Sequence, residues 1–274
     1  MQGIKMFIPT VEKISYLNKL LLCNFDILDF GSFVSAKAIP QLVDTAAVYM
    51  GIEANITQTQ LLCIVANIRG AEYAIQYPAI SYVGFPLSIS ETFQQRNTNK
   101  SIAASEIELA IMNETVQNSG KQMVVYLSMG FGNPYGDEYG LDILSEFTEK
   151  MFKMGIKFIR LSDTLGSADN ELITNAFNEI ISNYQNISIG AHLHATALDA
   201  NSKIKSALLA GCNTLDGAIL GYGGCPLADD HLTGNIDTLN ILQCAEDMGI
   251  EHSVNISAIE EAKHQANYIF SKYL

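Results

Sequence analysis

The fold is decided by a stretch that reads Ile187-Ser188-Ile189-Gly190-Ala191-His192-Leu193-His194. Its apolar residues predict a β-strand over 187–193, and apolar residues at helical spacing follow over 201–209. Side chains two residues apart in a strand share one face, so His192 and His194 lie roughly 7 Å apart along the same side. Two imidazoles placed in this way can share one metal ion. The alternative is a pair of core histidines that form only hydrogen bonds.

The same succession of a short strand and a longer helix extends in both directions from this stretch. Strands are predicted at 25–30, 60–66, 79–85, 122–127, 157–161, 187–193 and 214–220. Helices are predicted at 9–23, 39–49, 69–76, 103–118, 141–154, 170–184, 201–209, 238–248 and 257–270. Such alternation indicates right-handed βαβ units and a parallel sheet, which is an α/β fold.

The position of the polar residues distinguishes the two parallel α/β architectures. Asp29, Asp163, His194 and the glycine-rich run 221–226 follow the carboxyl ends of predicted strands, the face on which barrel active sites are built. This favours a (β/α)8 TIM barrel over a doubly wound open sheet. Seven strands are predicted rather than eight, and a helix stands where the first barrel strand belongs. The 274 residues are expected to form one domain over 1–274.

Composition narrows the range of partners. The 16 basic and 29 acidic residues give a net charge of −13, which argues against nucleic acid or an anionic membrane surface as the main partner. The five cysteines form no Cys-x-x-Cys pair, which suits a reducing cytoplasm. No stretch approaches the roughly 20 apolar residues of a membrane span. We therefore expect a cytoplasmic protein that acts on a small molecule.

Several polar side chains near the two histidines are candidates for chemistry. Imidazoles combined with asparagine or carboxylate oxygens suit Mg²⁺ or Mn²⁺, and zinc is compatible with the same ligands. Asn235 follows the glycine-rich run and supplies such an oxygen. Cys225 lies within that run, where backbone freedom lets a thiol approach a bound substrate, or where a cysteine is incidental to a turn. Asp29 and Asp163 can serve the site or cap helices.

Five motifs that follow one another along the chain resemble those of the 3-hydroxy-3-methylglutaryl-CoA lyase family, within the metal-dependent barrel lyases and Claisen synthases. They are Gly-Ser-Phe-Val-Ser-Ala-Lys-Ala-Ile-Pro-Gln at 31–41, Ser-Asp-Thr-Leu-Gly at 162–166, His-Leu-His at 192–194, Gly-Gly-Cys-Pro-Leu-Ala at 223–228 and Gly-Asn at 234–235. The first motif is the one that separates the lyase from the synthases. The resemblance covers essentially all of 1–274 and implies a TIM barrel.

By this resemblance a divalent ion, Mg²⁺ or Mn²⁺, is held by His192, His194, Asn235 and an aspartate. In the family that aspartate belongs to an Arg-Asp pair just ahead of a stretch that Met1-Gln2-Gly3-Ile4-Lys5 resembles, so the pair would precede Met1. Its absence agrees with the count of seven strands. We therefore expect a chain that begins one strand late, or one that has lost the pair and its activity.

The implied reaction is the cleavage of 3-hydroxy-3-methylglutaryl-CoA, a CoA thioester, to acetyl-CoA and acetoacetate, as in leucine degradation. Cys225 and His192 are the implied proton donors, and Asp163 is implied to orient a ligand or the substrate. Contacts with the substrate are implied for Lys5, Asp29, Ser32 and Thr164. Asp29 stands where the family has a glutamate.

The loop position of Lys37 suggests a contact with the phosphates of CoA. A homodimer is expected, because a barrel that lacks one strand has an unpaired edge that invites association. Two alternatives stay open. One is a related enzyme, either a synthase that condenses acetyl-CoA with a 2-oxo acid or an aldolase, and the other is a barrel that binds a partner without catalysis.

Overall fold

One parallel sheet organises the molecule. The structure, a computed structural model, describes residues 1–224 and 233–274. The sheet contains strands β1 (Ile27–Ser32), β2 (Gln60–Ile64), β3 (Ile80–Ser88), β4 (Gln122–Ser128), β5 (Phe158–Asp163) and β6 (Ser188–Leu193). Each strand pairs with the next one along the chain. A doubly wound sheet reverses its strand order partway, so the sequential order rules that alternative out and is that of a barrel.

Helices cover the outer side of this sheet. They are α1 (Thr10–Leu21), α2 (Thr45–Gly51), α3 (Ile68–Ala74), α4 (Glu91–Thr98), α5 (Ile102–Asn118), α6 (Leu141–Lys153), α7 (Asn170–Asn183), α8 (Ala200–Leu209), α9 (Thr238–Asp247) and α10 (Ile256–Tyr273). The first helix packs against the last, with the rings of Tyr16 and Phe270 6.0 Å apart. No helix in the described ranges is long and apolar enough to span a membrane.

The strand residues that face the helices form the core. Side chains alternate between the two faces of a strand, and on β3 the alternate residues Val83, Phe85 and Leu87 are almost fully buried. The corresponding positions of β4 are Met123, Val125 and Leu127, which are equally buried. The outer face of the sheet is therefore apolar and closely packed against the helices.

The inner face of the sheet carries polar and aromatic side chains instead. Tyr82 on β3 meets Phe158 on β5 edge to face at 5.1 Å, and Tyr126 on β4 meets His192 on β6 in the same way at 5.5 Å. Both contacts join strands that are two places apart in the sheet, so the sheet curls around an internal space. We call this space the lumen.

Two glycines make room for side chains in the lumen. A Cβ atom on Gly190 would lie 2.8 Å from Cδ and Nη1 of Arg160, its neighbour on β5. A Cβ atom on Gly84 would lie 3.1 Å from the ring of Tyr126 and 2.5 Å from Cδ1 of Ile64. The absence of a side chain at Gly190 therefore leaves room for Arg160, and at Gly84 it leaves room for Ile64 and Tyr126.

The expected count of seven strands is not confirmed, because the described residues form six. Residues 214–220 were expected to be the seventh strand, but they form isolated bridges between Leu215 and Ala191 and between Ala218 and Asp237. Leu220 has a left-handed φ of 62° inside the short 3-10 helix Ile219–Gly221, and this turn ends the extended run. The segment lies beside β6 without forming a continuous ladder with it.

Two helices also differ from expectation. The helix expected at 39–49 begins at Thr45, because Pro40–Leu42 forms a separate 3-10 turn. Helix α4 was not predicted at all, although Ser90 caps it by accepting a hydrogen bond from the backbone N–H of Phe93 at 3.1 Å. Its sequence has no apolar stripe that would mark it as a helix.

We predict that Gly190→Ala lowers the free energy of unfolding by about 1–3 kcal/mol, because overpacking of a filled interior costs that much. The new methyl group would overlap the buried side chain of Arg160. Urea titration followed by circular dichroism measures the change. Gly3→Ala is the control, since a Cβ there has no atom within 4 Å, and an equal loss in both variants would contradict the prediction.

Candidate active site

The two histidines stand at the carboxyl end of β6 with their rings together. The ring centroids are 5.3 Å apart, with an angle of 74° between the ring planes. Nδ1 of His192 lies 3.1 Å from Oδ2 of Asp216, and Nδ1 of His194 lies 3.0 Å from the carbonyl oxygen of Thr233. A carbonyl oxygen only accepts, so Nδ1 of His194 carries the proton and Nε2 keeps its lone pair. The same tautomer of His192 donates to Asp216 and leaves its Nε2 without a hydrogen-bond partner among the described residues.

Asn235 is held directly beside the second histidine. His194 and Asn235 form an antiparallel bridge, and Nδ2 of Asn235 donates to the carbonyl oxygen of Tyr222 at 3.1 Å. This hydrogen bond fixes the amide, and its Oδ1 oxygen has no hydrogen-bond partner in the part of the chain that the structure describes. Gly223 permits the close approach, because a Cβ there would lie 2.6 Å from Nδ2.

His194 is held in the form that binds metals. Burial, together with the neighbouring imidazole of His192, lowers its pKa to about 4. The residue is only 3% exposed. At neutral pH it is therefore an uncharged imidazole, which is the protonation state of a histidine ligand.

These donors fit a divalent metal ion. They are two imidazole nitrogens with free lone pairs and one amide oxygen, a set that suits ions which accept both nitrogen and oxygen ligands. Across residues 1–224 and 233–274, no three His, Cys, Asp or Glu side chains form a cluster that could hold a metal. Within the described residues, the candidate ligands are His192, His194 and Asn235, and oxygens of water or substrate would complete the coordination.

Asp216 orients His192 and is itself held by an arginine. Nε of Arg160 lies 3.4 Å from Oδ1 of Asp216, and the arginine side chain is 4% exposed. Burial opposes ionisation of Asp216, but the hydrogen bond from His192 and the charge of Arg160 outweigh it and keep its pKa below the usual range. A carboxylate that accepts the Nδ1 proton of a metal-binding histidine fixes the ring and its tautomer.

Asp29 faces the lumen from β1. Water reaches its carboxyl group, but protein atoms surround most of it, and this burial raises its pKa to about 7. A hydrogen bond from the backbone N–H of Gly31 lowers the pKa, while the nearby carboxylate of Asp216 raises it. The expected substrate-binding residue therefore lies at the site, with a pKa suited to exchanging protons near neutral pH.

The raised pKa of Asp29 predicts a stability that falls as pH rises. Between pH 4 and 7 the folded chain binds a proton that the unfolded chain has released, so raising the pH through this range favours unfolding. We expect Asp29→Asn to raise the melting temperature strongly at pH 8 and much less at pH 5, in buffers containing EDTA. Asp26→Asn, at an exposed aspartate of the same segment, is the control. An equal effect of Asp29→Asn at both pH values would contradict the prediction.

Asp163 ends β5 in a buried ion pair. Its two oxygens accept hydrogen bonds from the backbone N–H groups of Ser167 and Ala168, at 3.0 and 3.1 Å. Nζ of Lys203 lies 3.1 Å from Asp163 Oδ2 and also donates to the carbonyl oxygens of Gly166 and His194, at 2.7 and 3.1 Å. The pair joins the turn after β5 to the backbone of His194. Asp163 thus acts on this turn and not directly on the lumen.

We predict that Lys203→Met lowers the free energy of unfolding by about 3–5 kcal/mol, because it leaves the buried carboxylate of Asp163 without its partner. The two side chains are 3% and 2% exposed. Lys205→Met on the same helix is the control, because its 45% exposed side chain pairs weakly with Asp247 at 4.0 Å and such pairs contribute about 0–1 kcal/mol. Chemical denaturation of both variants measures the difference, and equal losses would contradict the prediction.

The remaining expected residues lie in different surroundings. The hydroxyl of Thr164 accepts from the backbone N–H of Met129 at 2.9 Å and is buried. Ser32 lines a cleft of about 400 Å³ with Arg69 and Tyr73, at the carboxyl ends of β1 and β2. Lys5 and Lys37 are exposed.

The cysteines divide into two groups. Cys225 lies in 225–232, outside the described residues, and its role stays a prediction. Four others, Cys23, Cys63, Cys212 and Cys244, are buried free thiols. Burial raises the pKa of the Cys23 and Cys212 thiols to about 11 and also raises those of Cys63 and Cys244.

Three lumen residues were missed from the sequence. Arg160 lies inside a predicted strand among apolar residues. Arginine is rarely buried without a partner, so its position there could have indicated a buried ion pair. Tyr126 and Asp216 offered no such sign. They belong to the site because the sheet brings β4, β5 and the segment after β6 together.

Comparison with known proteins confirms the resemblance drawn from the motifs. The HMGL-like family model matches residues 1–265. Hydroxymethylglutaryl-CoA lyase YngG of Bacillus subtilis (strain 168) is 31% identical over 96% of this chain and 87% of its own length. The cytoplasmic 3-hydroxy-3-methylglutaryl-CoA lyase of Rattus norvegicus is 28% identical over 96% of this chain and 76% of its own length.

Solved structures agree. The HMG-CoA lyase of Bacillus subtilis superposes with a TM-score of 0.92 at 29% identity, covering 100% of this chain and 91% of that one. An HMG-CoA lyase from Acinetobacter baumannii, in complex with coenzyme A and 3-methylmalate, gives a TM-score of 0.90 at 27% identity, covering 98% of this chain and 87% of that one.

Proposed function

The chain belongs to the HMGL-like family, and from this premise we propose that it is a divalent-metal-dependent carbon–carbon lyase that cleaves 3-hydroxy-3-methylglutaryl-CoA to acetyl-CoA and acetoacetate. One observation carries the proposal. The Nε2 atoms of His192 and His194 and the Oδ1 atom of Asn235 have no hydrogen-bond partner within residues 1–224 and 233–274, and they lie at the carboxyl end of a sequentially ordered parallel sheet. Barrel enzymes build their active sites at this end. The complete eight-stranded barrel stays a prediction.

The reaction breaks the bond between C2 and C3 of the acyl group, which requires loss of the proton on the 3-hydroxyl and protonation of the enolate carbon that leaves. When bound, Mg²⁺ or Mn²⁺ supplies Lewis-acid polarisation of the hydroxyl and carboxylate oxygens. His192, His194 and Asn235 would hold the ion. Asp29, with a pKa of about 7, is suited to accept the hydroxyl proton at neutral pH. Cys225 and His192 remain the candidates that return a proton to the enolate.

Other residues act by holding these groups in place. Asp216 fixes the ring of His192, and Arg160 keeps Asp216 ionised and oriented. The ion pair of Asp163 and Lys203 positions the backbone of His194 through its carbonyl oxygen. We assign these residues to positioning, while Thr164 supports the turn that follows β4.

A CoA thioester needs cations for its phosphates. Lys5 and Lys37 form no hydrogen bond or ion pair with any residue in the described ranges, so both are available for this role. The relative from Acinetobacter baumannii, whose structure contains coenzyme A, supports an acyl-CoA substrate. A homodimer, a cytoplasmic location and a part in leucine degradation complete the proposal.

The test is acetoacetate release from 3-hydroxy-3-methylglutaryl-CoA with Mg²⁺ or Mn²⁺. We expect His194→Ala to weaken Mn²⁺ binding by at least about tenfold, since disturbing even the supporting partners of a ligand costs 10–100-fold, and to abolish most of the release. His264→Ala, at an exposed histidine on α10, should leave both unchanged. Electron paramagnetic resonance measures free Mn²⁺.

Three results would count against the proposal. Full activity in EDTA would show that no metal is needed, and full activity of His194→Ala would remove that residue from the metal site. Condensation of acetyl-CoA with a 2-oxo acid, with no release of acetoacetate, would instead indicate a synthase.

A further inference from the structure

We propose that the hydroxyl group of Tyr126 donates a hydrogen bond to the terminal carboxylate of the acyl group and thereby selects dicarboxylic acyl thioesters. The inference rests on the proposed function and adds a substrate-recognition residue to it. It comes from the contacts, exposure and charges around Tyr126.

Tyr126 lies next to the metal ligands but inside the lumen. Its ring meets the ring of His192 edge to face, with the centroids 5.5 Å apart and the planes at 83°. On β4 it pairs in register with Arg160, which pairs with Gly190. Gly190 precedes His192 by two residues on β6. Tyr126 therefore lies deeper in the lumen than the histidines, farther from the carboxyl ends of the strands.

The orientation of the substrate follows from its size. The interior of a parallel barrel is largely filled by side chains, whereas the nucleotide and pantetheine parts of CoA are bulky, so the thioester points to the carboxyl ends of the strands. The part of the acyl group farthest from the thioester then reaches deepest. In 3-hydroxy-3-methylglutaryl-CoA this part is a carboxylate, which carries a negative charge and accepts hydrogen bonds.

The carboxylate oxygen that the metal does not polarise still needs a hydrogen-bond donor, because Asp29 and Asp216 already place acidic groups around the lumen. The guanidinium of Arg160 is nearly inaccessible and already contacts Asp216 and the carbonyl oxygen of Ile159. The hydroxyl of Tyr126 differs from this guanidinium in both its accessibility and its contacts. It makes no hydrogen bond with residues 1–224 or 233–274, and the side chain is partly open to water in the lumen.

The hydroxyl of Tyr126 is therefore the donor available to the terminal carboxylate of the acyl group. A site that offers a buried hydrogen bond to one group of a substrate discriminates strongly against analogues without that group, because the donor is then left unsatisfied. Tyr126 would give the site a preference for acyl chains that end in a carboxylate, without contributing a ligand to the metal.

Two variants separate this role from a general effect on the lumen. Tyr126→Phe removes only the hydroxyl and keeps the ring against His192. Tyr82→Phe is the matched control, because Tyr82 also faces the lumen, contacts Phe158 edge to face at 5.1 Å and makes no hydrogen bond in the described part of the chain. Tyr82 pairs with Gln122, four residues before Tyr126 on β4, and so lies farther from the histidines.

The experiment compares two thioesters on the Mn²⁺-loaded protein. One is 3-hydroxy-3-methylglutaryl-CoA, and the other is 3-hydroxy-3-methylbutyryl-CoA, which lacks the terminal carboxylate and serves as an inhibitor. We expect Tyr126→Phe to lower kcat/KM for the first by about 10- to 100-fold, the usual effect of losing a hydrogen bond to a charged group. The inhibition constant of the second should change less than about twofold, and Mn²⁺ affinity should stay the same.

Other outcomes overturn the inference. They are an unchanged kcat/KM in Tyr126→Phe, an equal loss of affinity for both thioesters, and an equal effect of Tyr82→Phe. If the unaltered chain releases no acetoacetate, the proposed function fails, and calorimetric binding of the same two thioesters then decides the inference separately. An unaltered chain that binds both with the same affinity, or binds neither, overturns it.

Discussion

The two-residue period of six parallel strands is the constraint on which the rest of the structure depends. It sends one set of side chains, such as Val125 and Leu161, outward into a dry layer beneath the helices. It sends the other set into the lumen, where Tyr126, Arg160 and His192 meet across the curled sheet. Stability is carried mainly by the first set and chemistry by the second. A chain built in this way can alter its reactive surface while keeping its core.

The active face is held together by ionic contacts that the apolar layer could not supply. Lys203 reaches from α8 to the turn after β5 and to the backbone of His194, and it is buried where it does so. Arg160, which lies deeper in the lumen, forms a comparable ion pair with Asp216. Buried ion pairs of this kind add little net stability, but they fix the relative position of neighbouring loops. The geometry of the histidines is therefore supported from two sides.

The sequence predicted those parts of the molecule that depend on local pattern. Strand β6 and its two histidines, and helices such as α6 and α7, lie where apolar periodicity placed them. The expected strand at 214–220 did not form a ladder, because the left-handed turn at Leu220 depends on contacts with the segment around Asp237. Helix α4 escaped detection because capping and burial of Phe93 define it, not a periodic stripe.

The site was predicted only in part, because only some of its residues belong to a local sequence pattern. His192, His194 and Asn235 could be found because a motif carries them in a short span. The roles of Asp216, Arg160 and Tyr126 depend on neighbours 24 or more residues away, and no pattern within one segment encodes them. Asp163 could be located, but whether its oxygens face the lumen or a turn required the position of Lys203.

The burial of four thiols has a practical consequence for studying the fifth. Cys23, Cys63, Cys212 and Cys244 are both shielded and held in the protonated form, and alkylating reagents attack thiolates. In the native protein these four cysteines therefore react only slowly with alkylating reagents. A maleimide or iodoacetamide label can then follow the reactivity of Cys225 in the unaltered chain, with and without substrate, and no cysteine has to be replaced first.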